Sequence, residues 1–124
     1  MKQLVTLALG TTLAVGAFAQ AFPSKPITFV VPFAAGGPTD LVARQLAEAM
    51  RKPLGNNANI VVENTAGAGG TIAATRVARA PKDGYTLLVW HIGMAATDSL
   101  YKKKQFSALD DFEYLGAIND VPMT

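Results

Sequence analysis

Cysteine is absent from this chain, and histidine occurs only once, at His91. Without cysteine the protein can form neither a disulfide framework nor a lipid attachment through a cysteine thiol. Structural zinc sites draw their ligands mainly from cysteine and histidine, and no paired-carboxylate spacing offers a substitute here. The composition therefore predicts no metal site, and no motif indicates a cofactor.

The chain also has little excess of one sign of charge over the other. The chain has 11 lysine and arginine residues against 9 aspartate and glutamate residues, a formal net charge of +2. Such a small excess, without an arginine stripe, does not indicate nucleic-acid binding.

Catalytic motifs are missing as well. Ser99, His91 and Asp98 could be written as a triad, but no G-x-S-x-G elbow supports it. A phosphate-binding loop would need G-K-[ST], which does not occur. We therefore predict that the protein is not an enzyme.

A hydrophobic run long enough to span a bilayer is missing too. The uncharged apolar stretch from Leu4 to Gly16 follows Lys2 and stops short of the ~20 residues that a membrane helix needs. Small residues follow, in A-F-A at 17–19 and A-Q-A at 19–21. This order is typical of a secretory signal peptide rather than a membrane anchor. We predict that residues 1–21 are a signal peptide, cleaved after Ala19 or Ala21.

The chain does contain a repeated order of strand, glycine loop and helix. The β-branched and aromatic run Ile27–Val31 is typical of a parallel strand buried on both faces. The loop A-A-G-G at 34–37 follows, and an apolar stripe from Thr39 to Arg51 predicts a helix. We expect Pro53 and Gly55 to end this helix.

The same order then repeats along the chain. Asn59–Glu63 predicts a second strand, Asn64–Gly70 a second glycine loop and Thr71–Ala80 a second helix. The apolar face predicted for this second helix consists of Ile72, Ala73, Val77 and Ala80. A third strand is predicted at Tyr85–Trp90, with His91 in the loop after it.

The remaining segments predict a short helix at 97–101, an exposed lysine turn at 102–104 and a last strand at 112–118. The alternation of strands and helices predicts an α/β fold with a parallel sheet and right-handed crossovers. Ligands of such sheets bind beyond the carboxyl ends of the strands. Both glycine loops and His91 fall at that edge.

The two glycine loops each lead into a helix, where main-chain N–H groups lack intrahelical acceptors and can bind an anion. The dinucleotide-binding fingerprint G-x-G-x-x-G, if it began at Gly67, would require a glycine at position 72, but that residue is Ile72. Two readings stay open for the glycines: they allow tight turns only, or they also let a ligand approach the main chain. His91 likewise either ends a buried strand or contacts a ligand.

The free energy available from hydrogen bonds limits how tightly one such half-site can bind an anion. Four hydrogen bonds to a charged group contribute roughly 6–12 kcal/mol before the costs of association. Micromolar affinity needs about 8 kcal/mol net. We therefore expect a small carboxylate to bind here only with the help of a second surface that closes over it.

Four segments together carry a resemblance: S-K-P-I at 24–27, V-P-F-A-A-G-G-P-T-D at 31–40, E-N at 63–64 with G-A-G-G at 67–70, and P-K-D-G-Y-T-L-L at 81–88. In this order they resemble the extracytoplasmic solute-binding receptors of tripartite tricarboxylate transporters, the TctC or Bug family. The resemblance implies lobe 1 of a type II periplasmic binding protein, a two-lobed Venus flytrap. Residues 22–124 would form a partial, truncated lobe that ends near the hinge, without lobe 2.

The resemblance also implies a function. A periplasmic, monomeric receptor would capture a di- or tricarboxylate and deliver it to membrane transporter subunits. The implied ligand-binding residues are Phe33, Ala34, Ala35, Gly36, Gly37, Pro38, Thr39, Asp40, Asn64, Gly67, Ala68, Gly69, Gly70 and, with less support, His91.

One local departure and two alternatives accompany this interpretation. Thr65-Ala66 stands where the family usually has an arginine or similar residue followed by proline, which could alter loop rigidity or ligand choice. The alternatives are a truncated fragment that does not bind, and an α/β enzyme with its catalytic residues outside this chain.

Overall fold

The computed structural model describes residues 21–55 and 58–119, so the predicted signal peptide lies outside the described residues except for Ala21. Three strands form one parallel sheet in the order β2-β1-β3. They are β1 (Ile27–Val31), β2 (Ile60–Asn64) and β3 (Thr86–Leu88). The predicted α/β fold with a parallel sheet is confirmed.

The central strand β1 is buried on both faces, as its continuous apolar run predicts. Phe29 and Val30 are both fully buried, and successive side chains of a strand point to opposite faces. Phe29 packs with Ala43 and Ala47 of helix α1 (Pro38–Leu54). The opposite face is covered by helix α2 (Thr71–Ala78), which contacts β1 and β3.

Helix α1 runs further than its sequence pattern predicts. Pro53 lies inside its last turn, and the helix ends at Gly55, where φ is +104° and the N–H donates to the Lys52 carbonyl at 3.2 Å. A proline in the last turn removes one intrahelical hydrogen bond only, whereas glycine readily adopts the positive φ that stops a helix. The prediction that Gly55 ends the helix is confirmed, whereas Pro53 lies inside it.

Helix α2 presents a different face from the predicted one. Ala73 and Ala74 are fully buried, whereas Ile72 is 52% exposed. Ala74 packs with Met94 and Phe106. The smallest side chains let the helix lie close to its neighbours, which leaves the branched Ile72 on the outside. The predicted apolar face that included Ile72 is wrong in this respect.

The segment after β3 is mostly irregular. A 3₁₀ turn (Ile92–Ala96) leads into the short helix α3 (Thr97–Leu100), close to the predicted helix at 97–101. The strand predicted at 112–118 is wrong: these residues form no strand, and Leu115 is exposed. A β-rich sequence becomes a strand only beside a neighbour whose main chain pairs with it, and no such pairing with this segment exists within the described residues.

The lysine turn at 102–104 is only partly exposed. Lys104 pairs with Asp98 at 2.5 Å, lies over the Phe106 ring and keeps just 12% of its side chain accessible. The prediction of a fully solvated turn is wrong for this residue. In residues 21–55 and 58–119, every helix falls short of the length and hydropathy that a bilayer crossing demands.

Candidate functional site

Three loops meet at one edge of the sheet, because all three strands run in the same direction. The first glycine loop (residues 33–37) connects β1 to α1, and the second glycine loop (residues 65–70) connects β2 to α2. Since β1 is the central strand, the first glycine loop lies between the second and the segment that follows β3. This is the edge at which parallel sheets bind ligands.

Asp40 holds the first glycine loop against the start of α1. Its carboxylate is buried, and Oδ2 accepts hydrogen bonds from the Gly36 N–H at 2.8 Å and from Arg44 Nε at 2.9 Å. An acidic residue in the first turn that bonds back to an N–H before the helix resembles the capping box. The family resemblance implied Asp40 as a site residue, but Arg44 was not predicted, although the spacing of four residues between them could have indicated the pair.

Asn64, at the end of β2, joins the first glycine loop to the second strand. Its Nδ2 donates to Asp40 Oδ1 at 2.9 Å and to the Phe33 carbonyl at 3.1 Å. Arg44 Nη2 donates to Asn64 Oδ1 at 3.3 Å, which closes the Asp40–Arg44–Asn64 network. The side chains of Asp40 and Asn64 are thus engaged with each other and with the protein.

The network changes the acidity of Asp40. The hydrogen bond from Arg44, followed by those from the Gly36 N–H and the Asn64 amide, lowers the pKa of Asp40 from 3.8 to about 2. A lowered pKa means that the charged form is favoured by folding. This contribution to stability is present above about pH 4 and is lost as the pH falls through about 2.

We therefore expect the stabilities of the wild type and Asp40→Asn to converge in acid. The free energy of unfolding of the wild type should fall between about pH 4 and about pH 2 by an amount that the variant does not show. Urea denaturation across this range measures both. Asp83 and Asp98 also have lowered pKa values, owing to Lys25 and Lys104, so only the difference between the proteins reports on Asp40. A constant difference would contradict the assignment.

The second glycine loop contains four consecutive residues with positive φ: Gly67 at +139°, Ala68 at +44°, Gly69 at +62° and Gly70 at +97°. A Cβ added to Gly70 would lie 2.6 Å from Trp90 Cζ2, and one added to Gly69 would lie 1.9 Å from the Tyr101 hydroxyl oxygen. Both glycines are therefore required by close packing within the protein as well as by their φ. Tyr101 and Trp90 were not expected next to this loop, since these contacts are long-range.

Both glycine loops expose main chain at this edge. Ala34, Ala35 and Gly36 are exposed in the first loop, and residues 66–69 are exposed in the second. The first-turn N–H groups of Thr39 and Asp40 have no intrahelical acceptor. These groups can donate hydrogen bonds to an anion, whereas the Gly36 N–H already donates to Asp40. Within residues 21–55 and 58–119, no three histidine or acidic side chains are grouped to hold a metal.

Aromatic rings join the first glycine loop to the segment after β3. His91 stacks on Phe33, with ring centroids 4.8 Å apart and planes at 12°, and Trp90 meets Phe33 edge-on at 6.3 Å. His91 Nδ1 accepts a hydrogen bond from the Gly93 N–H at 2.9 Å, so the neutral imidazole carries its proton on Nε2. Phe33, Asp40, Asn64 and His91 are thus linked through direct contacts.

Comparison with known proteins shows what the chain is similar to. A UPF0065 protein from the TAR-I ttuE-ttuC' intergenic region of Agrobacterium vitis is 48% identical over 103 residues, which cover 83% of this chain. The periplasmic binding protein BugD is 53% identical with a TM-score of 0.70, over 74% of this chain. MatC from Rhodopseudomonas palustris, solved with bound malate, is 50% identical with a TM-score of 0.69, over 73% of this chain.

These proteins are much longer than this chain, which spans 29% of the Agrobacterium vitis relative, 30% of BugD and 31% of MatC. The family model for the tripartite tricarboxylate transporter family receptor, TctC, matches residues 42–124. Because the matched residues make up more than half of the sequence and the solved relatives share its fold, the chain belongs to the TctC family of solute-binding receptors.

Proposed function

We propose that this chain supplies the first-lobe half of a carboxylate-binding site in a periplasmic receptor. Main-chain N–H groups of the first glycine loop, the start of α1 and the second glycine loop hold one carboxylate group of a small organic acid. One observation carries the proposal: two loops on neighbouring strands, each leading into a helix, are joined by the Asp40–Arg44–Asn64 network.

The chemistry of this edge favours an anion held by main chain. The side chains of Asp40 and Asn64 are used inside the protein, and neither glycine loop contains a lysine or arginine. The amino-terminal ends of α1 and α2 add a partial positive charge near the exposed N–H groups. Malate in MatC, at 50% identity, supports a dicarboxylic acid as the ligand class.

The wider role of the protein follows the family to which the chain belongs. We propose that residues 1–21 direct export and are removed, and that residues 22–124 form part of lobe 1 of a monomeric receptor. The receptor delivers its ligand to membrane transporter subunits and performs no catalysis. Mass spectrometry of the exported protein tests the cleavage after Ala19 or Ala21.

We expect this chain to bind malate weakly through the two glycine loops. With one lobe, the net binding free energy should be about 4 kcal/mol, a dissociation constant of about 1 mM. In a ¹⁵N NMR titration, malate should shift the amide signals of residues 34–40 and 66–70.

Dimethyl malate is the matched control, because it has nearly the same shape without the charges, and it should leave these signals unchanged. Shifts confined to other residues would place the ligand elsewhere. An absence of shifts with malate, succinate and citrate alike would favour a fragment that does not bind.

A further inference from the structure

The proposed anion site has a buried carboxylate beside it. Asp40 lies in the first turn of α1, and its Oδ2 accepts a hydrogen bond from the Gly36 N–H, so its carboxylate lies beside the main-chain groups proposed to hold the anion. Like charges this close repel each other strongly in a partly dehydrated site. A receptor for carboxylates should therefore not tolerate an uncompensated Asp40 at this position.

A neutral side chain would fill the structural role of Asp40 less well. The carboxylate accepts hydrogen bonds from Gly36 and Arg44 on one oxygen and from Asn64 on the other. An amide has one acceptor oxygen, and its NH₂ group would face donors on the other side. The connection between the loops is thus strongest with a negative charge, which carboxylate binding disfavours.

Arg44 offsets that charge. Its guanidinium is positively charged and contacts both Asp40 and Asn64. Among the described residues, it is the one charged group bonded to Asp40: β2 presents the neutral Asn64, and the neighbouring Glu63 pairs with Arg76 of α2. The first glycine loop carries no charge.

We propose that Arg44 is a positioning residue for carboxylate capture: it cancels the charge of Asp40, so that Asp40 can join the two loops without repelling the ligand. This inference rests on the proposed function of the glycine loops. Arg44 does not contact the ligand in this role. It keeps the local charge of the network at zero.

Two substitutions on the same helix test the proposal. Arg44→Gln and Arg51→Gln each remove one positive charge from α1, but Arg51 lies in the last turn and pairs with Glu48 at 3.2 Å. At pH 7 and low salt we expect Arg44→Gln to weaken malate binding about tenfold and Arg51→Gln less than about twofold. Arg44→Lys, which keeps the charge, should stay within about threefold of the wild type.

The pH profile separates charge cancellation from a purely structural role. Without Arg44, the largest cause of the lowered pKa of Asp40 is gone, so Asp40 should protonate at a higher pH. Because the hydrogen bonds from Gly36 and Asn64 remain, the ratio of the malate dissociation constants of Arg44→Gln and Arg51→Gln should stay constant from pH 7 to about pH 5 and fall towards one only as the pH is lowered through 3.8. Protonation of malate changes the dissociation constants of both variants by the same factor, so it leaves this ratio unchanged.

Each outcome decides one claim. If the wild type binds no carboxylate, the proposed function fails. If the wild type binds and Arg44→Gln equals Arg51→Gln, or if their ratio does not change with pH, the inference on Arg44 fails alone. Should Arg44→Gln not fold, Arg44→Lys carries the test, because it keeps the positive charge but loses the planar group that reaches both Asp40 and Asn64. A loss of malate affinity of tenfold or more in folded Arg44→Lys would show that the contacts of Arg44, and not its charge, are needed, and would overturn the inference.

Discussion

Replacement of Gly70 with alanine should lower the free energy of unfolding by about 2–6 kcal/mol. Its φ of +97° is costly for any residue with a Cβ, by roughly 1–3 kcal/mol. The added Cβ would also lie 2.6 Å from Trp90 Cζ2 and 3.1 Å from Pro32 Cβ, and overpacking of this kind costs roughly 1–3 kcal/mol more. Urea and thermal denaturation measure the sum of the two effects.

Gly55 offers a comparison without a clash, because an added Cβ would meet nothing within 4 Å there. Its main chain, at φ +104° and ψ +149°, lies close to a region that is nearly restricted to glycine, whereas Gly70, at φ +97° and ψ −8°, is left-handed. The backbone cost of Gly55→Ala should therefore be at least as large as that of Gly70→Ala, so any greater destabilisation by Gly70→Ala comes from displacing Trp90 and Pro32. A loss of less than about 1 kcal/mol for Gly70→Ala would contradict the packing described for the second glycine loop.

Asn64→Ala should be the second most damaging substitution. It removes the amide that donates to the Phe33 carbonyl and to Asp40, and two lost partners cost about 2–4 kcal/mol. Malate affinity should fall as well, because the two glycine loops lose the side chain that joins them. Denaturation and NMR titration of the same variant measure the two effects.

Two further variants define the cause. Asn64→Asp keeps the shape of the side chain but places a second carboxylate beside Asp40, so it should be less stable than Asn64→Ala at pH 7 and should recover in acid. Asn59→Ala, just before β2, removes an exposed side chain and should change stability by less than about 0.5 kcal/mol. A neutral Asn64→Ala would show that the loops are held together without this residue.

Local sequence patterns were sufficient for the three strands of the sheet and for the two long helices. The run Ile27–Val31 predicts a strand with both faces buried. In β1, every residue except Thr28 has at most 1% of its surface exposed. The order of strand, loop and helix likewise predicts the parallel sheet and its carboxyl edge. These features depend on hydrophobic periodicity and on turn residues a few positions apart, which the sequence displays directly.

Local sequence patterns give wrong predictions where the structure or burial of a segment depends on contacts with another part of the fold. The segment 112–118 has the composition of a strand but no partner within the described residues, and Ile72 has an apolar side chain but lies outside the face of α2 that is buried. The sequence predicts Lys104 as part of a solvated turn, whereas in the structure its side chain contacts Asp98 and the Phe106 ring. Each error concerns contacts that hydrophobicity alone cannot specify.

The same division applies to the candidate site. The sequence by itself determined the α/β order, the two glycine loops and their position beyond parallel strands, because these are encoded by local propensity. Only the tertiary structure decided that Asp40 bonds Arg44 and Asn64, that His91 stacks on Phe33, and that Trp90 lies against Gly70. These contacts depend on distances between segments that become neighbours only when β2 and β3 pair with β1, and residue types alone do not carry that information.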